Sequence, residues 1–408
     1  MIDADRVRRD LENLISIPSV TGQEEEIQTS LAAMLTSEGF EVDRFSGDLE
    51  TLSAHPRFPG MEVDHPSLPV VVARFDTGRP GPTILVDAHV DVVPPGEPET
   101  WLTPAFEPSY RDGKVFGRGA CDMKGGLVSA LEAVRSLKSD PAGLSGEVLL
   151  ALVPGEEDGG SGTFALLQAG YTADLCVIPE PTGLDIVVAH GGAITFTLDV
   201  PGKAAHASMR LEGVSALDNL SYLVEALAED ERVRNAAETD PRMVAIGLPY
   251  PTIIGQVEGG NWASTVMDRV VAHGRYGVTV DQDASGAAAD LQKAISAACA
   301  NHPFLAEHDV DVSVWGGRFD SARVPSDHPL PLGIAAAHEA ITGSRAECVG
   351  APYGADMRLF VQEAGIPTVM YGPGSVRVAH SANEHVPLEE VVVCAEVLAR
   401  WMRGVLRS

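Results

Sequence analysis

Several polar segments of this chain directly follow apolar runs, and their residue types suit metal-assisted hydrolysis. The first is His89-Val90-Asp91, after Thr83–Ala88. Residues i and i+2 of an extended segment face the same way. One ring nitrogen of His89 can then bind a metal while Asp91 accepts a hydrogen bond from the other, which fixes the ring's tautomer and orientation. The second is Gly117-Arg118-Gly119-Ala120-Cys121-Asp122-Met123-Lys124-Gly125-Gly126. Glycines on both sides of Asp122 permit an irregular backbone, and the two oxygens of its carboxylate can bridge two metals. The segment lacks the G-x-x-x-x-G-K-[ST] pattern of a phosphate-binding loop. The third is Glu156-Glu157, after Glu147–Val153. Neighbours on an extended loop face opposite ways, so one carboxylate can bind metal while the other holds the attacking water. Two close, partly desolvated carboxylates also raise the proton affinity of one of them. Glu180 in Pro179-Glu180-Pro181-Thr182 is stiffened by its prolines, and His380 follows Gly372-Pro373-Gly374. Each segment alone has a plain alternative: a surface His–Asp pair, a turn, an acidic loop tip. Together they place two histidines and three carboxylates at strand ends, a nitrogen and oxygen donor set that suits Zn²⁺. Two metals about 3.5–4 Å apart on a shared carboxylate form a hydrolytic device.

The elements that must carry these residues alternate between strands and helices. Helical periodicity covers Asp5–Ser16, Gln23–Glu38 and Lys124–Lys138, and strands are expected at 83–89, 147–153 and 175–178. That alternation predicts a mainly parallel α/β sheet, with the site at the strands' carboxyl ends. From about residue 190 the pattern becomes strand (194–200), helix (215–229), two strands (252–257 and 269–280), helix (284–299) and strand (310–315), a βαββαβ, ferredoxin-like insert. Helices near 332–342 and 356–363, a strand at 368–371 and a helix at 389–405 resume the first pattern. The expected organisation is a catalytic domain in two parts, 1–189 and 319–408, around an inserted domain at 190–318. The Pro- and His-rich segment 53–69 has no assigned place.

Composition bounds the partners. The 408 residues carry 58 acidic against 29 basic side chains, a formal charge of −29. Nucleic acid and anionic membranes are therefore not expected partners. Five separated cysteines without a C-x-x-C, an N-terminus without an apolar h-region and no membrane-length apolar run predict a reduced, cytoplasmic protein.

The ordered set H-x-D-V-V-P, G-R-G-x-x-D-x-K-G-G, E-E, E-P-T, G-x-x-A-H-A-S, G-P-G and A-H resembles the acetylornithine deacetylase / succinyl-diaminopimelate desuccinylase family. These are zinc amidohydrolases related to carboxypeptidase G and aminoacylase, and the resemblance runs over essentially the whole chain. It implies that His89 and Glu180 bind one zinc, Glu157 and His380 the other, and that Asp122 bridges them. It also implies Glu156 as general base, Asp91 as the residue orienting His89, and a cis peptide at Asp122–Met123. The insert becomes a lid and dimerisation domain, with His206 supplied to the partner subunit's oxyanion in a homodimer. Arg275 and Asn261 match lid residues that contact substrate, and Arg358 is a further substrate contact or a structural ion pair.

The activity implied is hydrolysis of an N-acyl amino acid or similar small N-acyl amine by a metal-bridged water, with two Zn²⁺ per subunit and Co²⁺ or Mn²⁺ as alternatives. A dipeptidase, aminoacylase or deformylase would use the same residues. A metal-binding homologue without turnover is disfavoured because every ligand and the base are present. A serine or cysteine hydrolase is disfavoured because no G-x-S-x-G elbow occurs and Cys121 has no activating partner in sight.

Overall fold

A computed structural model describes residues 2–407. Two compact units emerge: one from residues up to Val188, Arg323–Val349 and Asp356 onward, the other from Ala189–Ala322 and Gly350–Ala355.

The first unit is built on an extended sheet. From one edge its strands run Glu41–Gly47, Leu68–Asp76, Glu147–Val153, Thr83–His89, Leu175–Ile178 and Thr368–Met370, and then Ile186–His190. The four strands from 147–153 to 368–370 run parallel to one another, whereas 68–76 is antiparallel to both of its neighbours, 41–47 and 147–153, and 186–190 is antiparallel to 368–370. Parallel strands need crossovers that cover both faces, so they read as unbroken apolar runs. Residues 84–89 and 148–153 are accordingly buried without alternation. One helical group is Ala4–Ile15, Gly125–Ser139, Pro329–Thr342 and Leu388–Leu406; a second is Glu25–Ser37, Ser161–Gln168 and Met357–Glu363. The first helix starts where the Asp3 carboxylate accepts the amides of Asp5 and Arg6, at 3.0 and 3.2 Å. A small antiparallel sheet, Ser109–Arg111, Lys114–Phe116 and His385–Pro387, brings the chain after His380 alongside the chain before Asp122.

The second unit has the order strand Gly192–Pro201, helix Ala216–Ala236, strands Thr252–Gly259 and Arg269–Val278, helix Ala284–Ala300, strand Asp311–Phe319. Its sheet is antiparallel, in spatial order 252–259, 269–278, 192–201, 311–319, the ferredoxin-like arrangement. Alternate residues Ile194, Phe196, Leu198 and Val200 meet Leu220, Leu223, Leu291 and Ile295 of the helices in one core. Among the described residues no helix is long and apolar enough to cross a membrane.

Candidate active site

Three parallel strands of the first unit end in the residues singled out by type. His89 closes the strand 83–89, Glu156 and Glu157 follow the strand 147–153, and Glu180 follows the strand 175–178. Their crowding is made possible by glycines. A Cβ on Gly126 would lie 1.8 Å from the Pro179 carbonyl oxygen, and one on Gly372 would lie 2.3 Å from that oxygen and 2.4 Å from that of Glu180. Gly126 thus lets the helix that follows Asp122 press against the segment bearing Glu180. The Asp122–Met123 peptide is cis.

Asp122 stands between the two histidines. Its Oδ1 lies 3.2 Å from His89 Nε2, and its Oδ2 lies 3.4 Å from His380 Nε2. Glu180 Oε1 is 3.7 Å from His89 Nε2, and Glu157 Oε2 is 3.0 Å from His380 Nε2. The five residues form two histidine–glutamate pairs sharing one aspartate. Potential ligand atoms of His89, Asp122 and Glu157 lie within 4.8 Å of one another. Glu156 is buried beside this group.

Asp91 meets His89 through both its main chain and its carboxylate, and the imidazole holds that carboxyl low despite its burial. His89 Nδ1 meets the main-chain oxygen of Asp91 at 2.9 Å, while the Asp91 carboxylate is 3.6 Å away. That carboxylate also accepts the amides of Glu156 and Glu157, both at 3.2 Å, and the Thr21 hydroxyl at 3.1 Å.

The electrostatics call for cations. Burial raises the Glu156 carboxyl, and the charges of Asp356, Glu180 and Glu157 add to the effect. Burial also raises Glu180, opposed by His89 and reinforced by Asp122 and Glu157. Glu157 is pushed up to about 6 by burial and the charge of Asp122. His380 is pushed up to about 10 by its hydrogen bonds with Asp122 and Glu157. For Asp122 the two histidines outweigh burial and hold the carboxyl low. Desolvated carboxylates that draw protons onto themselves and onto adjacent imidazoles match the charge and donor types of a divalent metal site.

The remaining predicted residues have other surroundings. Arg358 is buried there, where its Nη2 donates to the Gly159 oxygen at 2.6 Å and its Nη1 lies 3.5 Å from Asp356. His206, Asn261 and Arg275 belong to the second unit. His206 is exposed, and its Nδ1 accepts the Ser208 amide at 3.2 Å. Asn261 is exposed in the loop before the strand 269–278, and Arg275 pairs across its strand with Ile253 and Thr195.

Other contributors were not legible. Arg118 and Glu384 form a buried pair at 2.6 Å. Asp356 accepts the Thr163 hydroxyl at 2.6 Å, behind the Glu156 loop. Asp158 Oδ2 accepts the amides of Glu62 and Val63, both at 3.1 Å, and meets His65 Nε2 at 3.0 Å. The segment 53–69 therefore braces the loop that carries Glu156 and Glu157. Arg118, Glu384 and Asp158 each lie within or beside a segment rich in candidate ligands, which is the one sequence signal they offered.

Residues 85–404 match the profile of Peptidase family M20/M25/M40. A protein of Bacillus subtilis (strain 168) named N-formyl-4-amino-5-aminomethyl-2-methylpyrimidine deformylase is 27% identical over 92% of this chain and 88% of its own. A succinyl-diaminopimelate desuccinylase of Bradyrhizobium sp. (strain BTAi1 / ATCC BAA-1182) is 30% identical over 74% of this chain and 75% of its own. The fold is shared with an M20 family metallo-carboxypeptidase from Sulfolobus solfataricus, at a TM-score of 0.76 and 18% identity over 98% and 99% of the two chains. With its cluster of histidine, aspartate and glutamate at the strand ends, the chain is a metal-binding hydrolase of amide bonds and belongs to the peptidase family M20/M25/M40.

Proposed function

We propose that this hydrolase removes the acyl group from an N-acyl amino acid or a similar small N-acyl amine, using two zinc ions. His89 and Glu180 would hold one ion, Glu157 and His380 the other, and Asp122 both. The observation that carries this is the placement of the two Asp122 oxygens, 3.2 and 3.4 Å from the Nε2 atoms of different histidines. Bound cations of this kind polarise a carbonyl and acidify water. Glu156, buried and proton-hungry, takes the proton from the attacking water and delivers it to the leaving amine. Asp91 keeps Glu156 in place through its amide.

His206 supplies a hydrogen bond to the oxyanion developing on the acyl carbonyl. The Ser208 amide donates to His206 Nδ1, so a neutral ring carries its proton on Nε2, as a donor requires. Supply of this residue in trans would need a homodimer. The outer strand Thr252–Gly259 offers an edge for one, with Ile253 and Val257 exposed. Arg275 of the same unit would contact the substrate's carboxylate, and Asn261 the substrate beside it. Five cysteines that form no disulfide among the described residues favour a reducing, cytoplasmic setting.

The test is a hydrolysis screen of N-acetyl, N-succinyl and N-formyl amino acids and of dipeptides, with metal content measured and with a chelator added. Hydrolysis of at least one acyl class, lost on chelation and regained with Zn²⁺, is expected. Turnover undiminished after complete metal removal would defeat the proposal. A deformylase is the second reading, favoured by the named activity of the Bacillus subtilis relative.

A further inference from the structure

Arg118 and Glu384 are both large ionic side chains sealed from solvent, at 2% and 1% exposure. Burying such a pair has a desolvation cost that a pair of well-packed apolar residues avoids, and here hydrogen bonds offset it. Glu384 Oε2 accepts from Arg118 Nη1 at 2.6 Å. The other oxygen, Oε1, accepts the amide of Cys121 at 2.9 Å and that of Asp122 at 3.0 Å. Arg118 reaches outward from the same pair. Its Nη1 also donates to the Ser381 carbonyl at 3.4 Å, and its Nη2 to the Pro94 carbonyl at 3.3 Å. The Glu384 carbonyl accepts the Gly117 amide at 3.0 Å.

These contacts join three loops. One carries Asp122. One leaves His89 and Asp91 and passes through Pro94. The third runs from His380 through Ser381 to Glu384. We infer that Arg118 and Glu384 are positioning residues that set the spacing between Asp122 and His380, and so decide whether the second cation is held, a role that rests on the two-cation centre proposed above. The asymmetry follows from the connections. His89 ends a strand of the main sheet and Glu180 is pressed against Gly126, so that half of the site is fixed by the sheet. His380 lies on a loop, at a positive φ of 57° and half exposed. The link from Glu384 to the Asp122 amide is what ties that loop to the aspartate.

The experiment is a titration of metal-free protein with Co²⁺, followed by visible absorption and by metal content after dialysis, on wild type, Glu384→Gln, Arg118→Lys and Asn383→Gly. Glutamine at 384 can still accept the two amides but turns an N–H towards Arg118. Lysine at 118 keeps the charge but cannot reach three acceptors. Asn383 anchors the same loop elsewhere, to the Leu102 amide and the Thr100 carbonyl, and glycine there keeps the positive φ of 60°. Wild type and Asn383→Gly should take up two ions. Glu384→Gln and Arg118→Lys should hold the first ion normally and the second about 10–100-fold more weakly, as for other residues that hold metal ligands in place. A folded Glu384→Gln protein with both affinities unchanged would overturn the inference, as would equal loss at both sites in all three variants. If Glu384→Gln does not fold, the milder Arg118→Lys decides by the same comparison. Wild type that takes up one ion or none would instead remove the two-cation centre itself.

Discussion

Asp91 Oδ1 accepts the backbone amide of Glu156 at 3.2 Å, so the base proposed for proton transfer is held by a carboxylate from the neighbouring strand. Oδ2 does the same for Glu157. Asp91→Asn would replace one acceptor with an N–H facing an amide N–H, which leaves buried donors unpaired. We expect kcat to fall about 10–100-fold with KM little changed, as for residues that orient active groups at one remove. Steady-state kinetics with metal content measured in parallel provide the check. A fall confined to KM would place Asp91 at the substrate instead.

Glu156→Gln removes the proton acceptor and preserves the shape. Its carboxylate is not one of the three in the paired ligand set, so two metals and the folded state should persist. The rate should drop about 10²–10⁴-fold, the usual contribution of general acid–base catalysis. Near-normal turnover in a metal-replete Glu156→Gln protein would assign the proton transfer to another group.

Metal removal should also be felt in stability. The cluster gathers Asp122, Glu156, Glu157 and Glu180 out of water around two imidazoles, and cations compensate that charge only in the folded state. A ligand present at a thousandfold its Kd stabilises by about 4 kcal/mol. Chelated protein should therefore unfold at a lower temperature in calorimetry and recover on addition of Zn²⁺. An identical transition with and without chelator would count against cations in this cluster.

Gly126 offers a test of how packing places a ligand. Alanine there meets the Pro179 carbonyl, which is backbone and cannot swing aside. Overpacking costs about 1–3 kcal/mol even where side chains can give way. Gly126→Ala should lower the urea midpoint and weaken the cation at His89 and Glu180. Unchanged midpoint and metal content would mean that the helix and the Glu180 segment are not in the tight contact described.

The parallel strands were readable because a strand covered on both faces is a bare apolar run. Glu147–Val153 and Leu175–Ile178 lie on the residues expected. The strands Glu41–Gly47, at the sheet's edge, and Leu68–Asp76, next to it, were missed. The first alternates charged and half-exposed residues, and the second begins inside the irregular segment 53–69 and carries its Pro69. The helix Ser161–Gln168 escaped because it is short, starts at Gly160 without a side-chain cap, and is apolar around most of its circumference. The metal-ligand candidates were legible because residue type, neighbouring Gly or Pro and the end of an apolar run all coincide there. Arg118 and Glu384 were not, because their meaning lies in a pairing across 266 residues. Asp91 shows the same limit: spacing pointed its carboxylate at His89, and the fold adds the amides of the next strand's loop, which no spacing announces.

A last prediction separates action within one subunit from action between two. Under the proposed homodimer, the centre holding Glu156 in one subunit receives His206 from the other. His206→Ala and Glu156→Gln should each be nearly inactive as pure proteins. When the two are mixed and allowed to exchange, a mixed dimer has one centre with its own Glu156 and the partner's intact histidine, and one centre lacking both. Random pairing of equal amounts makes half the dimers mixed, so about a quarter of wild-type activity should return, as closed two-fold symmetry requires. If His206 served its own subunit, every centre in the mixture would still lack one group and no activity would return. Gel filtration of wild type adds a control, since a monomer with full activity would rule out supply from a partner altogether.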